Sequence, residues 1–182
     1  MGWSWDDFES YYSMEISALS LNRNAVAVTV SPGAKQGEPC RIELDPPTTY
    51  LTIDNACETG PEEGNPGITI DRALLSRTVV VRGTMPLRGT AVRARASVPD
   101  PALFSAHQLL QAMKKTGIEI TGQARKGNAP AEAVFLTSHR SGCLAEMLPL
   151  LQKPSDNHVA EQLLHAMGTR ECLPAGESRP KN

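Results

Sequence analysis

The sequence predicts an α+β protein: an antiparallel β-rich part over residues 1–98, a helical part over 99–168 and a polar tail over 169–182. Three observations lead there. Short runs of Val, Ile and Thr recur about every ten residues before position 98, divided by Gly, Pro and Asn turns. Beyond it the apolar spacing lengthens to a helical period, opening on Asp100-Pro101. Hydrophobic residues make up 40% of the 182 but aromatics only 4%, so the core must be built from aliphatic side chains.

Taken in order, residues 16–21 and 25–30 read as strands around Asn22-Arg23-Asn24, whose asparagines tolerate a left-handed backbone. A loop over 31–37 follows, then short strands at 40–44 and 50–53 around Asp45-Pro46-Pro47. Residues 56–67, rich in Glu, Gly and Pro, read as a mobile surface loop. Strands at 79–82 and 91–97 complete the set, with Gly83, Pro86 and Gly89 as turn markers. In the second part Asp100 is an N-cap and Pro101 the first helical position. Leu103, Leu109, Leu110 and Met113 give that helix an apolar face ending at Gly117, a C-cap. Short strands are expected at 118–122 and 134–137, and a helix at 144–152 with Pro149 inside it as a kink. Pro154 breaks that helix, and the next runs over 156–167 to Gly168. The tail, polar and with two prolines, reads as disordered.

Composition excludes several functions. A formal charge of −2 gives no electrostatic reason to bind nucleic acid or an anionic membrane. Arg88, Arg93 and Arg95 alternate along a strand and read as its solvated face. No apolar run is long enough for a membrane span. The start, Met1-Gly2-Trp3-Ser4-Trp5-Asp6-Asp7, is acidic and aromatic, the opposite of a secretion signal. The expectation is a cytosolic protein or a chain that begins inside a longer reading frame. Cys40, Cys57, Cys143 and Cys172 are too widely spaced for a zinc knuckle. Cys40 and Cys57 flank a hairpin and either pair or stay as thiols, since spacing does not fix connectivity.

Chemistry concentrates at Lys153-Pro154-Ser155-Asp156-Asn157. Ser, Asp and Asn all cap helix N-termini, and the preceding Pro stops a helix, so a structural reading is available. Ser20-Leu21-Asn22 repeats the Ser-x-Asn pattern where a turn alone explains it. The surroundings say more. The run from Leu148 through Lys153-Pro154-Ser155-Asp156-Asn157 to Ala160-Glu161-Gln162-Leu163-Leu164 and Gly168 resembles the second active-site motif of one family. These are the class C low-molecular-mass penicillin-binding proteins, serine-type D-alanyl-D-alanine carboxypeptidase/endopeptidases. Gly2-Trp3-Ser4-Trp5-Asp6-Asp7, Ile16-Ser17-Ala18-Leu19-Ser20-Leu21-Asn22, Pro32-Gly33, Thr52-Ile53-Asp54-Asn55 and Gly117-Ile118 agree in the same order, so the likeness spans nearly residues 2–168.

The resemblance implies that residues 1–98 are an inserted domain and 99–168 a helical fragment of a serine β-lactamase/penicillin-binding-type domain. It implies catalytic roles for Ser155, which would help move a proton to the leaving D-alanine amine, and Asn157, which would hold a stem-peptide carbonyl. Asp156 would be structural. The partners implied are peptidoglycan stem peptides and β-lactams, the compartment is the periplasm, and neither cofactor nor metal is called for. The family also needs Ser-x-x-Lys before these stretches and Lys-Thr-Gly after them. Neither stands in that order here, so the chain alone is expected to be inactive; the alternative is a non-catalytic peptidoglycan-binding or structural module. Leu144, Leu148, Leu163 and Leu164 are expected to stay partly exposed.

Several look-alikes carry less. Lys115-Thr116-Gly117 precedes the Ser-Asp-Asn run and sits where a helix ends; Ser178-Arg179-Pro180-Lys181 lies in the tail. His158 and His165, seven apart with Glu161 between, could share a metal but read as exposed helix residues, and His107 and His139 are isolated. Trp3, Trp5, Tyr11 and Tyr12 read as packing for the β-rich part.

Overall fold

Val26, Val28 and Val30 are wholly buried at alternate positions, so one face of their strand looks into the core. The computed structural model describes residues 14–72, 76–128 and 130–171. Strand β1 (Ala25–Ser31) pairs antiparallel with β2 (Arg41–Asp45) on one side and β6 (Val92–Ser97) on the other. A second sheet has β5 (Thr78–Met85) between β3 (Thr52–Thr59) and β4 (Gly67–Arg72). One apolar cluster draws on both sheets, Val26, Val28 and Val30 with Val79, Val81 and Met85. Helix α1 (Pro101–Lys115) adds Phe104, at 0% exposure, to the same cluster. Cys40 and Cys57 are joined in a disulfide, Cα–Cα 5.4 Å, which links the approach to β2 with β3 and so ties the two sheets together.

The fold is mixed α+β, with corrections in detail. Three strand pairings are antiparallel but β3–β5 is parallel, Thr52 beside Thr78 through Thr59 beside Met85. After β3 the chain crosses over to lay down β4, then hairpins back so that β5 fits between them. Residues 61–66 of the crossover are exposed, but its start is held by Gly60 N–H to Met85 O (2.7 Å) and Leu87 N–H to Pro61 O (2.9 Å). β4 lies where no strand was expected, and β3 runs six residues past Ile53. Gly83 is no turn: it lies inside β5 at φ +113°, where a Cβ would collide with the Gly67 carbonyl.

Residues 16–21 form no strand. Asn22, Arg23 and Asn24 make a left-handed turn, φ 55°, 58° and 54°. Buried Asn24 then ties down the approach: its Nδ2 donates to Glu15 O at 2.8 Å, and Ser20 Oγ donates to its Oδ1 at 2.8 Å. Residues 118–122 and 134–137 are likewise not strands; Val134, Phe135 and Leu136 are 82%, 76% and 89% exposed and have no partner strand among the described residues, without which β propensity decides nothing. Of the three arginines expected along one strand, Arg93 and Arg95 are exposed on β6, Arg93 pairing with Asp45 at 2.9 Å, whereas Arg88 lies off it in the turn after β5 and meets Glu62 at 3.3 Å.

Both ends of α1 follow the sequence. Asp100 Oδ1 accepts the Leu103 N–H at 3.3 Å, and Pro101 opens the helix. At the other end Gly117 takes φ +87°, with Gly117 N–H on Lys114 O and Ile118 N–H on Met113 O, both 3.1 Å.

The chain divides into two compact units, residues 1–128 and 129–182. The second holds α2 (Leu144–Gln152), with Pro149 inside it, and α3 (Asn157–Glu171). α3 does not stop at Gly168, which lacks a positive φ and is carried as an ordinary helical residue at a cost of about 1 kcal/mol. Leu144, Leu148 and Leu164 are exposed and Leu163 half-buried, as foreseen. Among the described residues no helix is long and apolar enough to cross a membrane.

Candidate active-site turn between α2 and α3

Two helix caps define this turn. Lys153 N–H donates to Pro149 O at 3.2 Å, and Pro154, lacking an N–H, ends the ladder. Ser155 then adopts φ +55°, a left-handed conformation that a non-glycine residue takes at a cost of about 1–2 kcal/mol. The reversal brings Asp156 N–H onto Leu151 O at 2.9 Å, five residues back, closing α2 in the manner of a Schellman motif.

Asp156 opens α3. Its Oδ1 accepts the Val159 N–H and its carbonyl the Ala160 N–H, both at 3.1 Å, as an N-cap does. Of the three residue types that could have capped the helix, the aspartate does it. Ser155 stands one residue ahead of the cap and is exposed; Asn157 is the first residue of α3 and is half-buried. The turn thus sets a hydroxyl and a carboxamide two positions apart, with the carboxylate between them bound into the helix end. A hydroxyl both gives and takes a proton, and a carboxamide binds a peptide group without adding charge.

His158, expected to be exposed, is buried at 7%, whereas His165 is exposed. Facing inward on the first turn of α3, His158 is part of the packing rather than of the open side. Among the described residues no group of three His, Cys, Asp or Glu side chains comes together as a metal would need. Lys115-Thr116-Gly117 forms the end of α1, where Thr116 Oγ1 donates to Met113 O at 2.8 Å. Cys143 is an exposed free thiol at the start of α2, its N–H donating to Glu146 Oε2 at 3.0 Å. Ser178-Arg179-Pro180-Lys181, Cys172 and the aromatic group Trp3, Trp5, Tyr11 and Tyr12 lie outside the described residues.

The sequence did not single out a second grouping, Tyr50, Arg77 and His107. The Arg77 guanidinium lies 4.1 Å from the Tyr50 ring centroid and the His107 ring 5.7 Å from it. No spacing could have signalled it, because the three stand ahead of β3, ahead of β5 and on α1.

The chain is similar to known proteins along nearly its whole length. It is 32% identical over 182 residues to the D-alanyl-D-alanine carboxypeptidase of Actinomadura sp. (strain R39), covering 94% of this chain and 34% of that protein. It is 20% identical over 168 residues to the D-alanyl-D-alanine carboxypeptidase DacB of Haemophilus influenzae, covering 92% and 35%. The crystal structure of penicillin binding protein 4 (dacB) from Haemophilus influenzae superposes with a TM-score of 0.68 at 19% identity, over 91% of this chain and 37% of that one. The same protein complexed with a novel beta-lactam gives 0.60 at 18% identity, over 84% and 36%. The chain spans about a third of the length of these relatives. Residues 1–179 match the D-Ala-D-Ala carboxypeptidase 3 (S13) family, so this chain belongs to that family of low-molecular-mass penicillin-binding proteins.

Proposed function

We propose that this chain supplies one wall of the cleft of a serine D-Ala-D-Ala carboxypeptidase/endopeptidase, with Ser155 and Asn157 as its catalytic contribution. The observation that carries the reading is Ser155 held at φ +55° between two helix caps, exposed and followed by Asn157 at the start of α3. Strained residues concentrate at functional sites, and a capping role is already filled by Asp156. In the complete reaction a nucleophilic serine attacks the stem-peptide carbonyl, D-alanine leaves as the amine, and water hydrolyses the ester. The Ser155 hydroxyl relays a proton to the leaving amine while the Asn157 carboxamide holds a neighbouring carbonyl. Residues 1–98 act as an inserted domain and 99–168 as part of the penicillin-binding domain. Peptidoglycan stem peptides and β-lactams are the partners, and the periplasm is the compartment. The Cys40–Cys57 disulfide supports an oxidising location.

Residues 1–182 alone carry no Ser-x-x-Lys ahead of the turn and no Lys-Thr-Gly between the turn and residue 182. Incubated with a fluorescent penicillin, this chain is expected to take up no label, and a covalent adduct would overturn the assignment of its parts. In a protein that adds both missing motifs, Ser155→Ala is expected to slow acylation by about 10²–10⁴-fold. Labelling as fast as that of the parent would remove Ser155 from the mechanism.

A second reading, a non-catalytic peptidoglycan-binding module, is favoured by one observation: the core of residues 1–128 is self-contained, with Phe104 of α1 and seven other apolar side chains at 0% exposure. Co-sedimentation of this chain with purified peptidoglycan separates the two, since the module should pellet whether or not Ser155 is replaced.

A further inference from the structure

Beside the cluster of Tyr50, Arg77 and His107 runs a groove of about 300 Å³, completed by Lys114, Leu103 and Leu110 of α1 and by residues 122–124. This is the lower end of the roughly 300–1,000 Å³ range of small-molecule pockets. Its charge is one-sided: two permanent cations, Arg77 and Lys114, line it, and no carboxylate does. Neither has an ion-pair partner among the described residues. The Tyr50 hydroxyl donates to Pro99 O at 2.8 Å, which fixes the ring over which the Arg77 guanidinium lies at 4.1 Å. Leu103 and Leu110 add an apolar wall.

His107 registers the excess. Its Nε2 meets Thr49 Oγ1 at 3.3 Å, and its Nδ1 is sealed from solvent without a hydrogen-bond partner. Burial first, then the charges of Arg77 and Lys114, hold its imidazole below the usual histidine range. The groups facing it are Arg77 from the approach to β5, Lys114 on its own helix and Tyr50 from the approach to β3. His107 therefore senses charge in the groove without having to touch the ligand.

We propose that this groove binds a small carboxylate that carries an apolar part, with Arg77 and Lys114 flanking the anion and Leu103 and Leu110 meeting the apolar part. The proposal is independent of the role given to Ser155.

The test is a proton NMR titration of the His107 ring signal, assigned by its loss in His107→Gln, with N-acetylalanine, its neutral amide and inorganic phosphate as probes. N-acetylalanine should move the signal saturably and raise the pH at which His107 titrates, because a bound anion favours the imidazolium. The amide and phosphate should each bind at least about tenfold more weakly, as loss of a charge-assisted contact or of apolar contact implies. Lys114→Gln should weaken the acid by about tenfold, and Arg77→Lys, which keeps the charge and loses the fork, by a similar factor. Lys114 is exposed, so its replacement does not endanger folding. Equal binding of acid and amide, phosphate matching the acid, unchanged affinity in Lys114→Gln, or an unmoved His107 signal would each overturn the proposal.

Discussion

Residues 1–128 and 129–182 solve the problem of stability in different ways. The first unit closes on itself: Val26, Val28, Val30, Val79, Val81, Met85, Val98 and Phe104 are all at 0% exposure. In the second, His158 is the one buried residue among those whose side chains are described, and many large apolar residues lie open, from Leu148 at 37% to Leu136 at 89%. The first unit is held by a core. The second is held by local devices, a capping box at Cys143–Glu146, the reversal at Ser155 and the Asp156 cap. Apolar side chains left open to this extent either meet a covering surface or remain an aggregation liability.

The contrast is broken most directly by paired truncations. Phe104→Ala should cost about 3–5 kcal/mol of unfolding free energy, because it opens a cavity between α1 and the sheets. Leu164→Ala, at 62% exposure, should stay within about 0.5 kcal/mol. Urea unfolding followed by circular dichroism measures both. Equal costs would mean that the second unit has a core of its own in solution.

Reduction of Cys40–Cys57 should come next in size. The bridge closes a separation of 17 residues, for which chain entropy gives about 3 kcal/mol. Melting with and without reductant should show the whole loss in the first unit, with the helix signal of α2 and α3 unchanged. A transition that moved both units equally would join what the comparison separates.

How much of this was legible depends on how local the cause is. Short aliphatic runs bounded by turn residues marked β1 and β6, and cap chemistry marked Asp100 and Gly117, because each signal and its effect lie within a few residues. The parallel β3–β5 pairing was not legible, since it depends on where β5 inserts after β4 has been laid down. Gly83 reads as a turn marker in sequence, yet its reason is a close approach by Gly67, across a strand pair. At Ser155 and Asn157 the sequence offered a cap or a catalytic pair, and only the resemblance of the surrounding run favoured the second. The left-handed backbone of Ser155 was invisible, because nothing in a serine announces it. The groove of Arg77 and Lys114 was equally hidden: its parts meet only through contacts such as Thr49 to His107, 58 positions apart.

Asp156→Ala sharpens the picture within the second unit. Loss of the N-cap should cost about 1 kcal/mol. It should show as faster amide exchange at Val159 and Ala160, the two N–H groups that Asp156 holds, with exchange in β1 unaffected.

The smallest effect separates the two readings of Ser155. Glycine relieves the left-handed strain but adds freedom to the unfolded chain, so Ser155→Gly should stabilise α2 and α3 by about 0.5 kcal/mol. Ser155→Ala also removes the hydroxyl but keeps the strain, so it should leave stability unchanged. If both substitutions destabilise the helices, the hydroxyl is contributing to a cap, and the turn is explained by helix termination alone. If glycine stabilises and alanine is neutral, the chain carries a strained serine that its own folding does not require, as a residue kept for chemistry would be.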